Sequence, residues 1–118
     1  MGKNRFVTPG EIYMCDLDEV LGSEQGGNRP VVVVSNSKIC AFSPTVQVVP
    51  VTSKAKGDLP THYSLYKKDY PAFNYNVNLA LCEQVRTIDK TRLGQKLCSL
   101  SHYDFYNIVQ ATYKNFPF

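Results

Sequence analysis

The chain has 118 residues, a formal net charge of +3 and an apolar fraction of 43%. That length suits one domain, and it can bury a real core, roughly 65% of the unfolded surface by size scaling. Charged residues make up 19%, glycine and proline number seven each, and no apolar run nears the ~20 residues of a spanning helix. Collagen-like, disordered and membrane-spanning classes are thereby excluded. The opening MGKNRFVTPG lacks the apolar stretch of a signal peptide, so a cytoplasmic address is expected.

Charge is unevenly spread. Residues 1–28 carry five acids against Lys3 and Arg5, a balance of −3, and the remainder carries +6. A basic remainder is compatible with a polyanion or an acidic protein partner, and equally with ordinary solvated lysines. Cys15, Cys40, Cys82 and Cys98 have no metal-ligand spacing, and they read as buried free thiols.

In chain order, Glu11–Leu17 alternates as a half-buried strand entered from Pro9-Gly10. The polar stretch DEVLGSEQGGNRP follows, long for a hairpin loop, and long loops in compact domains tend to be functional or disordered. Pro30–Ser35 holds four consecutive valines, the pattern of a strand buried on both faces. Thr45–Thr52 is another β-rich run, in which Pro50 marks an edge or bulge because proline cannot donate to a ladder. After the basic loop SKAKGDLP come a strand at Thr61–Tyr66 and the aromatic, turn-rich KKDYPAFNYN.

Asn78–Thr87 reads as one long strand. Asp89 can cap a short helical turn over Lys90–Leu93, which Gly94 would end, and Gln95–Leu100 is a last strand. The helix is Ser101–Asn115, with Ser101 and Asp104 at capping-box spacing. Phe105, Ile108, Val109, Thr112, Tyr113 and Phe116 form one helical stripe, fit for the core or for a subunit interface. Short strands with one terminal helix predict a mainly β fold, a small bent sheet or barrel.

Familiar catalytic motifs are missing: there is no GxSxG, Walker loop, HExxH or GxGxxG. The informative stretch is GSEQGGNRP, residues 22–30. Gly26-Gly27 permits positive φ and a close approach to a ligand. Arg29 then enters a buried strand, so its planar, always-charged fork is anchored and suited to phosphate. On composition alone the same stretch also fits a hairpin loop with an exposed arginine.

GSEQGGNRP followed by VVVVSN resembles the signature loop of the MazF/PemK family, the toxin halves of bacterial toxin–antitoxin pairs. Phe42–Thr52, the LPTH at residues 59–62 and the EQVRTIDK at residues 83–90 resemble the family in the same order and spacing. The likeness runs from about Pro9 to Leu100, and the whole chain, 1–118, then reads as a single toxin domain. It implies an SH3-like barrel with a C-terminal helix and a homodimer. The implied activity is sequence-specific cleavage of single-stranded RNA without metal or other cofactor, with no membrane partner.

Carried over, Arg29 and Thr52 match the catalytic positions. Ser23, Glu24, Gln25, Gly26, Gly27, Gln84 and Arg86 become candidates for substrate contact, with a core-side ion pair the alternative for Arg86. Glu24 and His62 stay open as the general base, because a threonine hydroxyl is too weak a base to act alone. Tyr70, Phe73 and Tyr75 fit either base-stacking surfaces or a packed barrel edge. The implied partner is an antitoxin with an acidic segment. A gyrase-inhibiting toxin of the same fold and a non-catalytic RNA- or protein-binding module are the alternatives.

Overall fold

The computed structural model describes residues 6–18, 22, 24, 26–54 and 57–117. It holds seven antiparallel strands and two helices. The strands are β1 (Glu11–Asp16), β2 (Asn28–Val33), β3 (Thr45–Thr52), β4 (His62–Tyr66), β5 (Val77–Leu81), β6 (Arg86–Asp89) and β7 (Leu93–Ser99). The helices are α1 (Ser37–Phe42) and α2 (His102–Tyr113). The strand order is β4-β5-β3-β2-β1-β7, with β6 also on β3, so the mainly β class is as expected and the ladder stays open between β4 and β7.

The valine run explains why the sheet is covered on both faces. Strand side chains alternate between faces. Val31 and Val33 join Tyr13, Cys15, Val46, Val48 and Ile88 in one core, whereas Val32 joins Ile12, Val49, Val51 and Ala80 in the other. The second core is closed by Phe73 and by Ile108 and Ala111 of α2. Each buried valine contributes about 1.5–3 kcal/mol, which makes β2 and β3 the rigid centre.

Strand β3 is the hub. One edge pairs β2, from Val33↔Val48 to Val31↔Pro50. Its other edge pairs β6 over Thr45–Val48 and β5 at Val51 and Thr52. Asn78–Thr87 is therefore not one strand. From Val51↔Ala80 to Val48↔Arg86, β3 advances three residues and its partner six. The surplus is the 3-10 turn Cys82–Gln84, held to the end of α2 by Asn115 Nδ2 donating to the Cys82 carbonyl at 2.9 Å. Pro50 falls opposite this inserted turn, where its missing N–H interrupts no partner strand.

Three smaller expectations need correction. Asp89 does cap a turn, accepting from the Thr91 N–H at 2.9 Å, but the turn is Lys90–Arg92 and Gly94 already belongs to β7. Glycine relieves crowding there, since a Cβ would lie 3.1 Å from the Met14 carbonyl oxygen, where the β1–β7 register shifts. Segment 36–44, for which the pattern predicts no element, contains α1, capped by Asn36 accepting from the Ile39 N–H. The buried Lys90 ammonium donates to the Cys40 carbonyl in the last turn of that helix, where a cation complements the helix dipole.

Helix α2 begins as predicted, with Ser101 Oγ accepting from the Asp104 N–H at 3.1 Å. The Asp104 carboxylate does not close a capping box. It accepts instead from the hydroxyls of Tyr63 at 2.6 Å and Tyr70 at 2.5 Å, tying β4 and the 67–76 segment to the helix. Burial and the adjacent Asp104 raise both phenol pKa values, so both hydroxyls remain donors at neutral pH. The inward stripe is Phe105, Ile108 and Ala111, while Tyr113 and Phe116 stay exposed. No helix among the described residues is long and apolar enough to cross a membrane.

The cysteines are free thiols, three buried and Cys98 half-buried. Burial pushes the Cys82 thiol up to about 11, which leaves it inert as a nucleophile.

Glu11, at the start of β1, supplies a pH prediction. Burial would raise its pKa, but the Lys96 ammonium at 2.9 Å, the Thr8 N–H at 2.8 Å and the Tyr13 hydroxyl at 2.8 Å outweigh this and hold it below the usual value. A depressed folded pKa stabilises the fold fully above the unfolded value of about 4.3, and that contribution is lost as pH falls through the folded value. Glu11→Gln should therefore lower stability at pH 7 by about 1–3 kcal/mol and narrow the gap to wild type on acidification below about pH 4. Urea unfolding of both proteins at pH 7 and pH 3.5 measures this, and a constant gap would refute it.

Candidate functional site: a cation-lined groove beside the β1–β2 connection

The β1–β2 connection closes at its base through two backbone bonds. Leu17 N–H donates to the Gly27 carbonyl at 2.9 Å, and Gly27 N–H donates to the Asp18 carbonyl at 3.0 Å. Gly27 takes φ +76°, a conformation that glycine adopts without strain, so the predicted positive φ lies at Gly27. The turn delivers the Gly26 carbonyl to Arg29, whose Nε donates to it at 2.7 Å and thereby sets the plane of the guanidinium. Arg29 is half-buried in β2, opposite Cys15 of β1.

Thr52 ends β3 and is only 2% exposed. The β2–β3 pairing ends at Val31↔Pro50, and Arg29 and Thr52 each lie two residues beyond it at the same end of the two strands. Thr52 Oγ1 accepts from the Lys54 N–H at 3.2 Å, an arrangement that leaves the hydroxyl proton available to donate. Arg29 and Thr52 both line a cavity of about 640 Å³.

The cavity is closed by Tyr75, one of the stacking candidates, and by residues that the sequence pattern did not single out: Ser53 and Lys54 after β3, Asn74 before β5, and Gln95 and Lys96 of β7. Its described lining holds three cations, Arg29, Lys54 and Lys96, and no carboxylate. Lys96 is partly neutralised by Glu11, so Arg29 and Lys54 dominate the local field. Such a groove favours an anion.

The other candidates fall elsewhere. Glu24 is exposed, and neither it nor Gly27 lines the cavity. Ser23 and Gln25 lie outside the described residues. Gln84 sits in the inserted 3-10 turn, away from the cavity. Arg86 donates through Nη1 to the Leu17 carbonyl at 3.4 Å, bracing the base of the β1–β2 connection. The core-side ion pair expected as the alternative for Arg86 is not made with Glu83, which is engaged by Thr61 Oγ1 at 3.0 Å and by His62 Nε2 at 2.9 Å. The His62 side chain is 8% exposed in that cluster and does not line the cavity.

Solved structures establish the class of fold. MazF from Deinococcus radiodurans superposes with a TM-score of 0.77 at 22% identity, covering 93% of this chain and 96% of that one. An endoribonuclease from a mycobacterial species gives 0.73 at 20% identity, covering 97% and 96%. A mycobacterial endoribonuclease in complex with its cognate antitoxin gives 0.70 at 22% identity, covering 92% and 93%. This is the fold of the MazF toxins. A family model described as the PemK-like, MazF-like toxin of type II toxin-antitoxin systems matches residues 8–116, and the chain belongs to that family.

Proposed function

We propose that this toxin is a sequence-specific endoribonuclease that cleaves single-stranded RNA with its own side chains and no metal. The observation that carries the reading is the groove itself. Arg29, its plane set by Gly26, and buried Thr52 share a lining that holds cations and no carboxylate among the described residues. A phosphodiester would be drawn in by charge and held by the guanidinium fork.

In the reaction, the ribose 2′-oxygen attacks the adjacent phosphorus and passes its proton to solvent water, and the P–O5′ bond breaks as water returns a proton to the departing oxygen. The 5′-oxygen leaves and is protonated to a 5′-hydroxyl, while the other fragment ends in a cyclic phosphate that hydrolyses to a 3′-phosphate. Charge accumulates on the equatorial oxygens in the transition state, where Arg29 stabilises it. Arg29 acts as a charge stabiliser because a guanidinium holds its protons and is a poor proton donor. Thr52 donates to a phosphate oxygen or orients the 2′-hydroxyl. Gly26 fixes Arg29, Gly27 and Arg86 support the turn, and on the family resemblance Ser23, Glu24, Gln25 and Gln84 would contact RNA outside the groove.

The toxin would act as a homodimer, a reading supported by the exposure of Tyr113 and Phe116 on the helix stripe. An antitoxin with an acidic segment would occupy the cationic groove in competition with RNA.

Incubating the purified protein with single-stranded RNA in EDTA tests the assignment. Fragments with 5′-hydroxyl ends are expected. Intact RNA that shifts in a gel would favour a binding module, and inhibition of gyrase without RNA cleavage would favour the other toxin class. Charge also sets a salt dependence. With phosphates on Arg29 and Lys54, log affinity should fall with log salt at a slope of about −1.4, roughly sevenfold between 50 and 200 mM. Lys54→Ala should reduce that slope by about half in a binding titration, and an unchanged slope would remove Lys54 from the contact.

A further inference from the structure

Between β4 and β5, residues 67–76 form a rigid arm whose three aromatic residues have different environments. Tyr70 and Phe73 are buried, at 8% and 2% exposure, and pack edge to face with centroids 6.3 Å apart. The Tyr70 hydroxyl is tied to Asp104 and accepts from the Ser101 N–H at 3.0 Å, which pins the arm to the start of α2. The Lys67 N–H donates to the Asn76 carbonyl at 3.0 Å, closing the arm at its base. Asn78, itself 4% exposed, donates through Nδ2 to the Tyr75 carbonyl at 2.9 Å. All of these contacts fix backbone and buried rings; none engages the Tyr75 side chain.

Tyr75 is 61% exposed and lines the same cavity as Arg29 and Thr52. A large apolar ring left in water on a pre-set backbone is costly for stability and well suited to binding a flat partner. The neighbouring Asn74 is also exposed at the cavity and carries both a donor and an acceptor. We propose that Tyr75 is the base-stacking platform of the groove. It takes the unstacked base of a nucleotide next to the scissile phosphate, while Asn74 contacts that base's edge. The inference rests on the RNA-cleaving reading and adds to it the residue that selects and seats the base. Because the arm is held before RNA arrives, stacking costs little conformational entropy.

The test compares wild type, Tyr75→Ala, Tyr75→Phe and Asn74→Ala on a random-sequence single-stranded RNA pool and on one cleaved oligonucleotide. Loss of a stacked base raises KM by about 5- to 100-fold in Tyr75→Ala, with kcat within about twofold because the reacting groups are untouched. Tyr75→Phe keeps the ring and stays within about twofold of wild type. Sequencing of 5′-hydroxyl ends should show Tyr75→Ala relaxing base preference at one position and Asn74→Ala altering it at the same position. The ring is exposed and makes no core contact, so melting temperatures should match. Unchanged KM and cleavage pattern in Tyr75→Ala, beside an active wild type, would overturn the stacking role while leaving the nuclease intact. Failure of Tyr75→Phe alongside Tyr75→Ala would assign the effect to the hydroxyl and overturn it too. A wild type that cleaves no RNA removes both readings together.

Discussion

Replacing Arg29 with alanine should lower kcat/KM for RNA cleavage by about 10²–10³-fold and leave a folded protein. The size follows from where the charge sits. Arg29 is a groove cation whose guanidinium plane is fixed, through its Nε bond to the Gly26 carbonyl, and no carboxylate pairing with it is seen among the described residues. A donor already in place when charge develops has no reorganisation cost, and losing one is worth about 3–4 kcal/mol in comparable sites. Stability should barely change, because that single half-buried bond is worth about 1 kcal/mol. Arg29→Lys separates charge from geometry. It retains a cation but loses the planar fork and the Nε anchor, so recovery should be partial, about 10-fold below wild type or worse. Cleavage assays beside thermal melts measure both quantities. Full activity in Arg29→Ala would remove it from the reaction.

The reasons Arg29 and Thr52 could be found in the sequence are local ones. Arg29 stands between a glycine turn and a run of valines, and Thr52 closes the run that faces it across the sheet. Short-range pattern therefore located β1 to β4, and cap plus periodicity located α2. What the pattern missed was decided by distant partners. NLALCEQVRT has strand composition throughout, and its interruption at Cys82–Gln84 is specified by α2 and by the Thr61–His62–Glu83 cluster. Helix α1 buries only Cys40 of its six residues, too little for a periodicity to register.

The same division holds within the site. Lys96 and Tyr75 reach the groove through β7–β1 pairing and through the arm clamped on α2, contacts between residues far apart in the chain. Among Tyr70, Phe73 and Tyr75 the sequence favoured packing and left stacking open. Asp104 decides it, by using the hydroxyl that a capping box would have left free. Arg86 and His62 matched family blocks, and in the fold one donates to a turn carbonyl and the other pairs with Glu83.

Thr52→Val should reduce kcat by at least about tenfold, roughly 1.4 kcal/mol, with KM nearly unchanged. Valine matches threonine in shape and removes only the hydroxyl, so the 2%-exposed site stays filled. The lost partner is the Lys54 N–H, which belongs to an exposed residue and can be satisfied by water, so the stability cost stays below about 1 kcal/mol. Thr52→Ser restores the hydroxyl and should recover most of the rate, which a steric effect would not. The double variant with Arg29→Ala carries the decisive information. If both groups act on the same developing charge, the pair loses less than the product of the single losses, because each contribution depends on the other. Strict multiplicativity would mean that Thr52 works on a separate event, such as orienting the 2′-hydroxyl before attack.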